Sequence, residues 1–174
     1  AKCASYDWDR GLGTCHNCNT SFQLHTYKRK GKAEKVYIKP TPVAIHDEPG
    51  MQAEDWFKTR GISKQTLSDL KITEGPEWMP QTQKTENVIK FNYFMGGELT
   101  NVKYRGRKNF KLYKGAEKVF YNIDSTVGFD YCVIVEGEMD VLALHEAGIT
   151  NAISVPNGAT LNTNNLDYLD SCID

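Results

Sequence analysis

Apolar positions along the chain recur first with a helical period and then with a strand period. Ala53 to Arg60 has the helical spacing, with Trp56 and Phe57 inward, and Gly61 suits a C-terminal cap. Ser63 caps a second short helix at its start, and Leu67 and Leu70 continue the apolar face, so residues 52–70 predict two helices. Glu74-Gly75-Pro76 reads as the end of that unit. Residues 88–94 and 99–104 predict a hairpin: Ile89, Phe91 and Tyr93 alternate with Lys90 and Asn92, and Gly96-Gly97 supplies the turn. Short strands are expected at 110–113 and 119–122. From Tyr131 the pattern changes. Tyr131-Cys-Val-Ile-Val135 is the continuous apolar run of a strand buried on both faces, with Cys132 as a small buried hydrophobe. A helix from Asp140 to Ala147, stopped by Gly148, and a second apolar strand at Ala152-Ile-Ser-Val155 follow, with a further helix from Asn164 to Cys172. The expected architecture is therefore an α+β front followed by an α/β back with parallel strands.

The 174 residues, 40% hydrophobic and 25% charged, have the profile of a globular protein. No apolar run reaches the roughly 20 residues of a membrane span, and Ala1-Lys2-Cys3 opens no signal-peptide core, so no membrane partner is expected. The net charge of −1 hides an asymmetry. Every Lys and Arg lies at or before Lys118, and residues 119–174 hold nine acids and no base, which leaves +8 on residues 1–118. Such a split suggests a polyanion-binding surface leading to a cation-binding site. Residues 26–39 hold six basic groups and one acid, and Pro40, Pro42 and Gly50 break structure after them, so this stretch reads as a basic linker. Lys103 to Lys118 carries seven basic groups against one acid, interleaved with Tyr104, Phe110 and Tyr113. Charge with interspersed aromatics suits single-stranded nucleic acid; solvated lysines guarding an edge strand are the plainer alternative.

Five cysteines without a regular spacing favour a reduced, cytoplasmic setting. Two thiolates separated by two residues, as in Cys15-His-Asn-Cys18, can both point at one Zn²⁺ and make half of a tetrahedral site. Cys3, His16 and His25 are available as further ligands, but there is no second Cys-x-x-Cys; a surface turn with two free thiols is the alternative. Glu136, Glu138 and Asp140 fall within five residues at the carboxyl end of the first apolar strand, where α/β folds place ligand sites. Asp140 also suits helix capping and Glu138 an exposed surface acid. Glu136, ending an apolar strand, needs a cation or a donor. Acids clustered this way hold Mg²⁺ or Mn²⁺ together with substrate phosphates.

Glu136-Gly-Glu-Met-Asp140 resembles the first acidic motif of the Toprim fold, in the form found in DNA primases and in phage or mitochondrial primase–helicases. Ile153-Ser-Val-Pro-Asn-Gly-Ala159 is similar to the second Toprim strand and its loop. Trp56-Phe-Lys-Thr-Arg-Gly-Ile-Ser63 resembles the element that opens the primase catalytic core, Lys103-Tyr-Arg-Gly-Arg-Lys108 and Phe120-Tyr-Asn-Ile123 resemble its basic subdomain, and Cys15-x-x-Cys18 resembles half of the primase zinc ribbon. The resemblance divides the chain into a partial zinc ribbon (1–27), a basic linker (28–50), a basic subdomain (51–125) and a truncated Toprim domain (126–174). The other ribbon half and the later Toprim Asp-x-Asp are missing, and Asp167, Asp170 and Asp174 lack that spacing, so an internal piece of a primase is expected. The resemblance implies template-directed synthesis of RNA primers on single-stranded DNA from nucleoside triphosphates, in a bacterial or phage-infected cell, beside a fused or separate replicative helicase. Glu136 is then metal ligand or general base, Asp140 and Glu138 support it, and Lys103, Arg105, Arg107, Lys108 and Lys111 grip template or triphosphate. The rival readings are a non-catalytic nucleic-acid-binding module of Toprim shape and a Toprim nuclease.

Overall fold

Short strands and tight turns build the first of two units into which the chain divides, Ala1–Val36 and Tyr37–Asp174. The computed structural model describes residues 4–7, 11–23, 35–41, 51–158 and 167–169, with backbone alone at Met51, Gln52 and Asp167. In the first unit β1 (Ala4–Asp7), β2 (Leu12–Cys15) and β3 (Ser21–Gln23) form an antiparallel sheet in sequence order. Gly13 is required there: a β-carbon would lie 2.6 Å from the Phe22 ring, which meets Tyr6 edge-on at 6.0 Å. Of the further zinc ligands that the sequence offers, Cys3 and His25 lie outside the described residues.

The second unit begins with α1 (Met51–Lys58) and α2 (Lys64–Asp69). Ser63 caps α2, its hydroxyl accepting from the Thr66 N–H at 3.3 Å, and Gly61 takes the positive φ of 76° that ends the preceding turn. Glu74-Gly75-Pro76 does not end this unit as the sequence suggests. It lies inside β4 (Thr73–Met79), where Pro76 stands opposite Asn87. The strand tolerates a residue without an N–H because β4 is at the edge of its sheet. That sheet runs β4, β5 (Lys84–Met95), β6 (Glu98–Arg105), β7 (Phe110–Leu112), all antiparallel. The predicted hairpin is β5–β6. Gly96 and Gly97 take φ of 62° and 78°, and the Asp124 carboxylate accepts from their N–H groups at 2.7 and 2.8 Å. Of the strand expected at 119–122, a single bridge remains, Tyr121 to Ser154.

A parallel pair, β8 (Val133–Val135) and β9 (Ala152–Ser154), follows, joined by α3 (Glu138–Glu146). Three expectations change here. The helix starts two residues early, with Gly137 at its cap and no side-chain cap, so Asp140 sits in the first turn rather than capping it. β8 is not buried on both faces: Ile134 is 59% exposed, and Cys132 is exposed rather than internal. β9 carries the burial expected of such a strand. The helix expected from Asn164 is described only at 167–169, a 3-10 turn whose Tyr168 meets Phe120 edge-on at 4.9 Å.

One core joins these parts. Phe57, Leu67, Phe91, Tyr93, Tyr121, Val141, Leu142 and Ala152 pack together, so both helices, the antiparallel sheet and the parallel pair share it. A smaller cluster of Met79, Val88, Val102 and Tyr104 covers the other sheet face, which is why Lys90 and Asn92 are buried despite the alternation that should expose them. Among the described residues no helix is long and apolar enough to cross a membrane.

Glu146 fastens α3 to α2, accepting from the Ser63 N–H at 3.0 Å, the Ser63 hydroxyl at 2.9 Å and the Thr66 hydroxyl. The Thr66 bond first, then those from Ser63, hold its carboxyl below the usual range. A depressed folded-state pKa stabilises above the unfolded pKa and is lost as pH falls through the folded value. Glu146→Gln is therefore expected to lower urea-unfolding stability at about pH 7 and to match the parent at about pH 3. An equal deficit at both values would show that the carboxylate charge contributes nothing.

Candidate functional site

Period-two alternation sends Lys103 and Arg105 to one face of β6, and the register chooses their neighbours. Arg105 stands between Ile89 of β5 and Phe110 of β7, and Lys103 between Phe91 and Leu112. Since Ile89 and Phe91 belong to the shared core, two cations border an apolar face. Opposite them β8 and β9 end side by side, and the residues that follow, Glu136-Gly137 and Pro156-Asn157-Gly158, complete a cleft of about 620 Å³. The cleft thus lies at the carboxyl end of a parallel pair, and its size is that of a small-ligand site.

The three acids of the motif diverge there. Glu136 is exposed and lines the cleft, whereas Asp140 is exposed and does not. Glu138 also borders the cleft but is buried there, 5% exposed. Its two oxygens accept from the Lys103 ammonium at 2.8 and 3.0 Å, and the Tyr93 hydroxyl also donates to it. Lys103 donates as well to the Pro156 carbonyl at 3.0 Å. As the first residue of α3, Glu138 also sits where the helix dipole favours an anion. Burial first, then the Glu138 charge, holds the Tyr93 and Tyr121 hydroxyls well above the ordinary phenol range. Glu138 is therefore a buried, ion-paired acid rather than the exposed one that the sequence suggests.

The cations also divide. Lys111 pairs with Glu77, donates to the Trp78 carbonyl at 2.6 Å and lies over the Tyr104 ring at 5.0 Å. Lys103 is held by Glu138. Arg105, Arg107 and Lys108 make no ion pair among the described residues. Sequence reasoning missed Arg60, whose guanidinium lies 3.7 Å from the centre of the Trp56 ring. Arg105 approaches the same ring at 4.6 Å and Phe110 at 4.9 Å. Burial, then the nearby Arg60 charge, lowers the Arg105 pKa, against the pull of Glu138. The spacing of four between Trp56 and Arg60 was a visible helical pairing; the arrival of Arg105 on the same indole was not.

Among the described residues no three His, Cys, Asp or Glu side chains gather as a metal cage. Glu136 in the cleft fits an ion of the magnesium kind, which takes one or two carboxylates and completes its shell with phosphates and water. In the first unit, Cys15 ends β2 and its N–H donates to the Thr20 carbonyl at 2.9 Å. Cys18 donates to the Thr20 hydroxyl at 3.1 Å. Bonds with Thr20, then with Cys15, lower the Cys18 pKa, which favours the thiolate that zinc takes. The two thiols fit half of a tetrahedral site.

Residues 130–170 match the model of the Toprim domain. Over 128 residues the chain is 38% identical to an Arabidopsis thaliana protein described as a Twinkle homolog, chloroplastic/mitochondrial, a match of 72% of this chain and 17% of that protein. Over 127 residues it is 38% identical to an Arabidopsis thaliana primase homolog protein, covering 72% and 36%. The chain thus spans well under half the length of either relative. Its fold matches that of the RNA polymerase domain of Mycobacterium tuberculosis primase DnaG, solved with a double-stranded DNA oligomer bearing a 6-nucleotide overhang. That match has a TM-score of 0.52 at 14% identity over 74% of this chain and 55% of that one. The resemblance to primases with a Toprim core holds in sequence and in fold.

Removing one partner of a buried ion pair strands the other charge, at a cost of about 3 kcal/mol. Glu138→Gln is expected to lose about that much stability in urea unfolding, and adding Lys103→Met to recover most of it. Additive losses in the double variant would mean that the pair is not coupled.

Proposed function

We propose, on the premise of a Toprim core beside a primase-type basic sheet, that this chain carries the nucleotidyl-transfer centre of a DNA primase. The observation that carries this reading is the cleft itself, where exposed Glu136 and Arg105 both line a space about as large as a nucleotide site needs. Single-stranded DNA is the proposed template and nucleoside triphosphates the substrates, with a replicative helicase, fused or separate, as partner. The proposed setting is the compartment that holds the replicating template, cytoplasmic as the sequence suggests.

In this reading the chain's residues divide the work among them. Arg60 and Arg105, sharing the Trp56 ring without a carboxylate between them, repel one another and gain most from a triphosphate anion. Arg107 and Lys108 hold template phosphates. Phe110 offers a flat apolar wall beside Arg105 for a base. Glu136 accepts the proton of the primer 3′-hydroxyl as it attacks the α-phosphorus and pyrophosphate leaves, or serves as the cleft's metal ligand. A divalent cation held by Glu136 with substrate phosphates would supply Lewis acidity at the reacting phosphoryl group. Lys103, neutralised by Glu138, positions the Pro156 loop rather than gripping phosphate. Cys15 and Cys18 are proposed as zinc ligands of a template-reading ribbon.

A second reading, a nucleic-acid-binding module without catalysis, draws on one observation, that of the two acids bordering the cleft one, Glu138, is already held by Lys103 and Tyr93. The full-length protein that carries this sequence, supplied with single-stranded template, Mg²⁺ and labelled nucleoside triphosphates, separates the readings. Template-dependent short RNA supports the primase; strand scission supports a Toprim nuclease; binding alone supports the module. Glu136→Gln is expected to lower synthesis by about 100-fold or more while leaving strand binding nearly intact, and undiminished synthesis would remove Glu136 from the chemistry. Arg105→Ala with Lys108→Ala is expected to weaken single-strand binding and to flatten the slope of log affinity against log salt by about 1.4. An unchanged slope would count against the cationic path.

A further inference from the structure

The antiparallel sheet curls until its two edge strands approach. The Gln81 amide donates to the Phe110 carbonyl at 2.8 Å, and Lys111 of β7 reaches the Trp78 carbonyl of β4. Between those edges lies a second groove of about 490 Å³, lined by Trp78, Pro80, Tyr104, Tyr113 and Lys114 among others. It shares Lys111 and Leu112 with the cleft. Neighbours on a strand face opposite ways, so β7 is the ridge between the two, with Leu112 beside Lys103 and Lys111 beside Tyr104.

The chemistry of the groove is aromatic with a residual positive charge. Trp78 is 53% exposed and shares the groove with Ile38, 57% exposed, and Pro80, so the apolar surface here is a patch and not one scattered side chain. Glu77 and Lys111 neutralise each other. Lys114 makes no ion pair among the described residues, and neither do Arg107 and Lys108 on the turn between β6 and β7. Aromatic rings in one groove with a cation free of ion pairs, Trp78, Tyr104 and Tyr113 with Lys114, are the arrangement by which proteins hold single strands, stacking bases and neutralising phosphates.

We infer that this groove is a second subsite for single-stranded nucleic acid, with a base stacked on Trp78 and a phosphate on Lys114, on a strand that leaves the cleft over β7. The inference rests on the cleft's own reading as a strand-binding site. It adds a sequence-tolerant hold away from the reacting atoms, because every base presents a face to an aromatic ring.

The test compares oligodeoxythymidylates of about 4 and about 16 nucleotides, each carrying one 5-iodouracil, with affinity read by fluorescence anisotropy and contacts read by photo-crosslinking and peptide mapping. The expected result is a crosslink to the Trp78 or Tyr113 peptide from the long oligomer only. Trp78→Ala is expected to weaken the long oligomer about tenfold and the short one not at all. Lys114→Ala, a change of an exposed side chain that leaves the core untouched, is expected to lower the salt slope of the long oligomer alone by about 0.7. If the long oligomer binds with crosslinks confined to the cleft, and both variants bind it like the parent, the second subsite is wrong and the cleft reading stands. If neither oligomer binds the parent, both readings fall together.

Discussion

A buried anion organises this molecule. Glu138 sits at the start of α3 with its carboxylate out of water, and the only way to hold such a charge is to surround it with donors. Those donors come from elsewhere in the chain: Tyr93 from β5 and Lys103 from β6. Because Lys103 also grips the Pro156 carbonyl, one ammonium ties the antiparallel sheet, the acidic loop and the loop after β9 into a single arrangement. The cleft walls are therefore held by a charge network as well as by the apolar core beneath them.

The same network sorts the basic residues. Lys103 and Lys111 are each bound to a carboxylate, Lys103 to Glu138 and Lys111 to Glu77. Among the described residues, the cations that make no ion pair include Arg60, Arg105, Arg107, Lys108 and Lys114. Guanidinium suits an anionic ligand because it stays charged when partly buried and stacks on aromatic rings. Trp56 uses both properties, carrying Arg60 and Arg105 on one indole.

The two parallel strands differ in burial for a topological reason. β9 is flanked by β8 and by the Tyr121 segment bridged to Ser154, rests on the core it shares with α3, and is buried throughout. Among the described residues β8 pairs only with β9, so Ile134 and Cys132 face outward. A continuous apolar run signals what a strand is able to bury, and neighbours decide whether it does so.

By itself the sequence determined whatever depends on near neighbours along the chain. The Gly96-Gly97 hairpin, the Ser63 cap, the helix stop at Gly148 and the strand–helix–strand order of the last part all follow from local conformational preference and period. Cys15 and Cys18 on one turn, and the acidic motif at a strand end, follow likewise. Tertiary structure alone decided the rest. That Glu138 turns in while Glu136 turns out depends on Lys103, thirty-five residues away, and no local pattern separates two glutamates two positions apart. Pro76 lies inside a strand because the sheet's order leaves β4 at an edge, where a missing donor costs little. Arg60 meets Arg105 because α1 packs on the sheet face that carries β6. Each is an encounter between segments remote in sequence, and such encounters are fixed by packing and electrostatics in three dimensions, which a one-dimensional pattern does not carry.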